Sequence, residues 1–265
     1  MIPVFVISLV GSDDRRQRIT SIFDNLGMEF EFFDAVDGRQ FDVMQQPIYD
    51  AKKRLAFYGK HMTGGEIGCL LSHKALYQKI VNEGIEKALI FEDDVLLRPG
   101  FKAVLDQILD QGLDAPYDMI RFLSSPKLER LRLSPIHYID KEHYLTRHTG
   151  MPGGAHASLV RHSGAKKMLD HLSKSAFPID TLMGRSWQTG MNWVTVRPGI
   201  AAQDREIASI IGDDLRLERR LDIKGIGRFL YPLTRAWFKL CETIGKKYWY
   251  YIQSFKDKIR IKEYE

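Results

Sequence analysis

The chain has 265 residues, 44% hydrophobic and 28% charged, enough to bury a substantial core in one large α/β domain, alone or with an appendage. Its two cysteines, Cys69 and Cys241, fit neither a disulfide framework nor a metal-site spacing and point to a reducing compartment, and there is no run of about 18 apolar residues to span a membrane. The net charge of +5 is uneven, with +7 on residues 216–265 and −2 on residues 1–215, so the basic character belongs to the tail.

The N-terminal apolar stretch lacks the basic segment and small-residue cleavage site of a signal peptide, and residues 3–9 read as a first strand. Gly11-Ser12-Asp13-Asp14 then supplies turn and capping chemistry, and Ile19, Ile22, Phe23 and Leu26 recur at helical spacing. This β-turn-α opening sets Ser8, Leu9 and the helix start at the carboxyl edge of a sheet. There, backbone N–H groups with Arg15 or Arg16 can meet a nucleotide phosphate, while Arg18 reads as solvated. Residues 29–33 alternate as a second strand. The Asp37-Gly38 turn offers Asp37 either to a ribose or base, or to the turn itself. Residues 39–62 show no clear period and read as an irregular excursion.

Gly64, Gly65 and Gly68 open a helix that runs to about Gly84. Glycines there lower helix propensity, which is tolerable where backbone must approach something closely. His73 in this helix reads as a hydrogen-bonded structural histidine, with catalysis as the minority alternative. Ala88-Leu89-Ile90-Phe91 is too short for a helix and suits a strand buried on both faces, and it stops at three consecutive carboxylates, Glu92, Asp93 and Asp94. In an open α/β sheet that strand end is where ligands bind. Adjacent carboxylates repel, and a hard divalent cation relieves the repulsion while supplying the charge a diphosphate needs. The bland alternative is an acidic turn facing solvent.

Further strands are expected at 119–123, 144–148 and 155–160, with residues 127–133 a basic connector of unassigned form. Ser163 is placed to cap a helix over 164–172. Pro178-Ile179-Asp180 leads into a helix at 181–187, so Asp180 is either an N-cap or a site carboxylate. A last strand is expected at 192–196, and Gln203-Asp204 closes the α/β domain.

Three blocks in order, Val6-Ile7-Ser8-Leu9 with Arg15-Arg16, Gly65-Glu66-Ile67-Gly68-Cys69 through Leu71-Ser72-His73, and Phe91-Glu92-Asp93-Asp94, resemble glycosyltransferase family 25. That family includes bacterial enzymes that add β-galactose to lipooligosaccharide, and the similarity runs over most of residues 1–205. The resemblance implies a GT-A-like, Rossmann-type α/β fold, a UDP-sugar donor, a divalent metal (usually Mn²⁺), a lipid-linked oligosaccharide acceptor and inversion at the anomeric carbon. It places Glu92 and Asp94 on the metal and donor side, Asp93 as a ribose or sugar contact, and Gly154, Ala155 and His156 beside the transferred sugar. His156 is also a candidate metal ligand, though a single histidine without partner spacing is a weak signal. Inversion needs a base opposite the leaving group, for which Asp180 is the first candidate and Glu66 the second. Two rivals use the same residues differently: a metal-dependent phosphohydrolase, and a nucleotide- or nucleic-acid-binding protein held through its tail. Neither accounts for the ordered blocks as well, and no nucleic-acid partner is expected.

Residues 216–265 are expected as a helical basic extension of the catalytic region 1–215. Pro232 suits the first position of a helix that sets Leu233, Trp237, Leu240, Cys241, Ile244, Tyr248, Ile252, Phe255 and Ile259 near one face. Lys239, Lys246, Lys247, Lys256 and Lys258 accompany them. The pattern suits an anionic membrane surface, which implies a cytoplasmic protein peripheral on the inner face of the bacterial inner membrane. Packing of that face on the catalytic domain, or on a second copy in a homo-oligomer, stays open beside it.

Overall fold

The computed structural model describes residues 2–124, 133–149, 153–204 and 221–264. The expected domain boundary at 215/216 and all of the connector before Leu133 lie outside the described residues.

Strand β1 (Val4–Ser8) is buried along its whole length, with Phe5 and Ile7 in one apolar cluster and Val4 and Val6 in another. Side chains alternate across a strand, so the two clusters lie on opposite faces of the sheet and the molecule has three layers. Helix α1 (Asp13–Leu26) covers one face with Ile19 and Phe23 and ends at Gly27, whose φ of 60° only glycine adopts readily. Ser12 holds the cap position of α1 without a side-chain bond. The chain continues through β2 (Glu31–Asp34), a 3₁₀ turn (Val43–Gln45), α2 (Ala51–Tyr58) and α3 (Gly64–Asn82) to β3 (Lys87–Glu92). The irregular excursion expected over 39–62 therefore holds two short helical pieces. The Asp50 side chain caps α2 by accepting from the Lys53 N–H.

β4 (Val95–Leu97), α4 (Phe101–Asp110), β5 (Met119–Arg121), β6 (Pro135–Tyr138), β7 (Tyr144–Thr146) and β8 (Ala157–Arg161) follow. After them come α5 (His162–His171), α6 (Ile179–Met183), α7 (Ser186–Thr189), β9 (Trp193–Arg197), β10 (Ala201–Gln203) and α8 (Ile226–Tyr264). The main sheet has the order β2-β1-β3-β8-β5-β9-β7-β6, and β4 pairs with β10 in a small separate ribbon. β1 is parallel to β2 and β3, whereas β8 runs antiparallel to both its neighbours, so the sheet is mixed.

One topological feature positions everything that follows. The chain steps from β1 outward to β2, then returns to lay β3 on the other side of β1. Where strand order reverses in this way, a crevice opens beyond the carboxyl ends of the two diverging strands. Here those ends are Ser8 of β1 and Glu92 of β3, held in parallel register by Ile7 opposite Glu92.

The glycines at the start of α3 do approach backbone closely. A Cβ on Gly64 would sit 2.0 Å from the Gly38 carbonyl oxygen, and one on Gly68 would sit 2.6 Å from that of Val36. Ser72 Oγ accepts from the Val36 N–H at 2.9 Å, fixing the same loop against the helix.

Three local expectations change. Ser163 lies inside α5, whose cap position is Arg161, and its hydroxyl donates to Asp118 Oδ1 at 2.6 Å. Arg18 is not solvated: it donates to the Val95 carbonyl at 3.0 Å and pairs with Asp204 at 3.1 Å, tying α1 to the acidic strand end. Pro232 is inside α8, because that helix already begins at Ile226. α8 docks on α2 through Phe238, stacked 4.1 Å from Phe57, and on the end of β7 through a buried Arg147–Asp257 ion pair at 2.8 Å.

Candidate active site at the switch point

The crevice between β1 and β3 is lined by Ser8, Leu9 and Arg15 on one wall, the Ala35–Arg39 loop and Gly65, Cys69 and Ser72 of α3 on another, and Glu92, Asp93, Asp94 and Gln203 beneath. Sequence reasoning placed seven of these together as ligands of a nucleotide and its metal: Ser8, Leu9, Arg15, Asp37, Glu92, Asp93 and Asp94. Arg16 is instead turned to the sheet, donating to the Ser8 carbonyl and to Asp34 Oδ1 while its guanidinium stacks on Phe32.

The three acids have three different environments. Asp93 is held from within: Ser8 Oγ donates to one oxygen at 2.8 Å and Arg15 Nη1 to the other at 2.8 Å. Glu92 turns toward α3, where its Oε1 lies 3.4 Å from His73 Nε2 and 3.5 Å from Cys69 Sγ. Burial works against the Glu92 carboxylate, but His73, His156 and Cys69 together outweigh it and leave its pKa below the ordinary value. Asp94 goes the other way. Burial, then the neighbouring charge of Glu92, push it up to about 6, against the pull of the Gln203 amide 2.7 Å away. Its Oδ1 is buried and has no hydrogen-bond partner.

Cys69, His73 and Glu92 bring one donor atom each within 4.8 Å of one another, and no other such group of three is found among the described residues. Burial raises the Cys69 thiol well above its usual pKa, so it stands as a protonated donor to Glu92. Sequence reasoning found no metal-site spacing for Cys69 and read His73 as structural. The signal was present in their i, i+4 spacing, but nothing local says that this face of α3 meets Glu92.

A second group lies beside the first. The peptide of His156 pairs with Glu92 across β3 and β8, with the Glu92 N–H donating to the His156 carbonyl at 3.1 Å. The His156 ring is buried, and neither nitrogen makes a well-formed hydrogen bond. Burial lowers its pKa, which the charge of Glu92 opposes. Gly154, at φ 86°, is gripped from both sides: its N–H donates to Asp180 Oδ2 at 3.3 Å, and its carbonyl accepts from the buried Arg121. Burial lowers Arg121 to about 10, and the carboxylates of Asp180 and Glu92 oppose the drop. Arg121 is a residue that sequence reasoning missed, because a single arginine ending an apolar strand carries no motif.

Asp180 was open between a helix cap and a site carboxylate. Pro178 holds the cap position of α6, and Asp180 lies inside the first turn with its Oδ2 on the Gly154 amide. Glu66 has the opposite fate: its carboxylate accepts from the Thr63 N–H at 3.0 Å while Thr63 Oγ1 accepts from the Glu66 N–H, a complete capping box for α3. Asp37 binds its neighbour Arg39 at the mouth of the crevice, and that hydrogen bond lowers it to about 2.

The residues present suit a hard cation. Asp94, with a raised pKa and an unpartnered buried oxygen beside the Glu92 charge, is a carboxylate that a divalent ion would neutralise, but Glu92, Asp94 and His156 do not bring three donor atoms within 4.8 Å of one another.

Comparison with known proteins fits this geometry. A sequence profile of glycosyltransferase family 25, described as LPS biosynthesis protein, matches residues 1–183. A glycosyltransferase 25 family member of Aedes aegypti is 36% identical over 115 residues, 41% of this chain and 19% of that protein. One from Anopheles gambiae is 31% identical over 186 residues, 67% of this chain and 30% of that protein. The inactive glycosyltransferase 25 family member 3 of Homo sapiens is 33% identical over 115 residues, 40% of this chain and 19% of its own length. The chain thus spans less than a third of the length of these curated relatives. A solved glycosyltransferase involved in glycosylation of the major capsid of PBCV-1 has a TM-score of 0.37 and 7% identity over 81% of this chain and 97% of that one, a likeness that carries no argument. The profile covers more than half of the sequence, including the crevice and its acids: the chain belongs to glycosyltransferase family 25, and that membership supports a glycosyltransferase function.

Proposed function

We propose that the protein transfers a hexosyl group from a UDP-sugar to a sugar hydroxyl, with inversion at the anomeric carbon and with a divalent ion, Mn²⁺ first among candidates, on the donor diphosphate. The observation that carries this reading is the placement of Glu92, Asp93 and Asp94 at the topological switch point with only Asp93 neutralised by side chains on both of its oxygens. Glu92 and Asp94, with His156 beside them, would hold the ion, which would stabilise the departing UDP. Ser8, Leu9 and Arg15 border the nucleotide half of the crevice, and Asp37 lies at its mouth where a ribose or base would enter.

Asp180 is the proposed base. An acceptor hydroxyl in the half of the site near Gly154 and Ala155 would lose its proton to Asp180 as its oxygen attacks the anomeric carbon. The Gly154 amide and Thr181 amide orient this carboxylate, and the buried Arg121 fixes the same Gly154 by donating to its carbonyl. Glu66 is a weaker base candidate because it is committed to the capping box.

UDP-galactose is the proposed donor and a lipooligosaccharide or lipopolysaccharide sugar the proposed acceptor, in line with the LPS biosynthesis description of the family. A screen reading UDP release from UDP-galactose, UDP-glucose and UDP-N-acetylglucosamine, with and without Mn²⁺ and acceptor, tests the reading. Acceptor-dependent release in Mn²⁺ supports it. Phosphate or nucleotide release that ignores the acceptor would favour a phosphohydrolase using the same acids.

A further inference from the structure

Helix α8 is 39 residues long, on the order of 58 Å at 1.5 Å per residue, and it presents its apolar side outward. Phe238, Glu242, Gln253 and Asp257 face the catalytic region and are buried. On the opposite side Leu233 is 70% exposed, Trp237 67%, Tyr251 67% and Phe255 66%, in line with Leu240, Ile244 and Tyr248. At about 100° per residue these seven fall within an arc of about 80°, opposite the buried face. The amphipathic pattern seen in the sequence is therefore real, but the face expected to seek cover is the one that the catalytic region leaves bare.

Charge says what kind of surface would cover it. Among the described side chains of α8 the acids are Glu242 and Asp257, and both are buried and paired, Glu242 with Lys239 and Lys246 and Asp257 with Arg147. On the same wheel Lys247 and Lys258 border the apolar stripe, the exposed Arg228, Lys239 and Lys256 lie toward the docked face, and no exposed acid occurs among the described side chains of the helix. A second copy paired stripe to stripe would bring Lys247 and Lys258 of each helix toward the same cations of the other. An anionic lipid surface complements both features, with aromatic rings and lysine stems suited to the headgroup boundary. No helix of the described residues is long and apolar enough to cross a membrane, so the helix would lie in the interface.

We infer that α8 is an interfacial membrane anchor that lays its Leu233-to-Phe255 stripe into the headgroup region of an anionic bilayer. The inference stands on the helix alone and is separate from the transferase reading.

Vesicle flotation of the full chain tests it, using phosphatidylcholine alone and phosphatidylcholine with about one-third phosphatidylglycerol. The protein should float with the anionic vesicles at about 0.05 M salt and be released severalfold at about 0.5 M. Trp237→Glu with Phe255→Glu should cut the floating fraction at least about fivefold, and Lys247→Glu with Lys258→Glu should remove the preference for anionic lipid. Both variants should keep the wild-type melting temperature, because these side chains face solvent. No flotation at low salt, or flotation that neither variant changes, overturns the inference. So does a dimer that the Trp237→Glu, Phe255→Glu variant splits, or a loss of melting temperature showing that the stripe packs on protein.

Discussion

Ser8 Oγ donates to Asp93 Oδ2 at 2.8 Å across the crevice between β1 and β3, and this contact sets Asp93, held by side chains on both oxygens, apart from Glu92 and Asp94. With Arg15 on its other oxygen, Asp93 fastens the two diverging strands. Asp93→Ala should therefore destabilise the fold, by about 1–3 kcal/mol, because it removes a charge-assisted partner of a largely buried cation together with the acceptor of Ser8. Ser8→Ala should cost about 1 kcal/mol. Urea unfolding of the two variants checks the order, and equal losses would contradict it.

Asp94 should make metal binding pH-dependent. Its carboxyl titrates at about 6, so at pH 5 only about one molecule in ten offers the ionised ligand. Mn²⁺ affinity should be about tenfold weaker at pH 5 than at pH 7 and level above that. In the absence of metal, the raised value means that protonated Asp94 favours the fold. That contribution is complete below the unfolded value of 3.8 and is lost as pH rises through about 6. Calorimetric titration of Mn²⁺ at pH 5, 6 and 7 reads the dependence, which Asp94→Asn should flatten.

Asp180 and Glu66 separate a base from a cap. Asp180→Asn should lower turnover by about 10²–10⁴ while UDP-sugar binding stays close to wild type. Glu66→Ala should lose about 1 kcal/mol of stability with the capping box and keep the specific activity of the folded fraction. Turnover and thermal melting of both variants decide between them, and the reverse pattern would exchange the two assignments.

The position of the acid triplet was legible because an apolar run that stops at three carboxylates marks the carboxyl end of a buried strand. The glycines of α3 were legible as a close approach, and the structure supplies the partner in Gly38. What the chain did not disclose locally is contact across long separations. Ser8 and Asp93 are 85 residues apart, Arg15 and Asp93 are 78 apart, and Glu92 meets His73 and Cys69 only because α3 crosses behind β3. Helix α4 was passed over even though Phe101, Val104, Leu105 and Ile108 form a helical stripe, and all four are buried. In α8 the period was legible but its direction was not, since an amphipathic pattern states that a face is apolar and not what it faces.

Gly38→Ala tests the loop that walls the crevice. A Cβ there would meet the Gly64 carbonyl oxygen at 1.9 Å, so the loop or α3 must move. The variant should lose about 1–3 kcal/mol and bind UDP more weakly. Chemical unfolding and a UDP titration read both effects, and a neutral variant would show that the contact is slack.

The account rests on Glu92 and Asp94 joining a nucleotide to a divalent ion, and calorimetric titration of UDP into the protein in Mn²⁺ and again in chelator measures that directly. UDP should bind at least about tenfold more tightly with Mn²⁺, and Asp94→Asn should erase the difference while the protein stays folded. Equal UDP affinity in Mn²⁺ and in chelator would contradict the metal–nucleotide site.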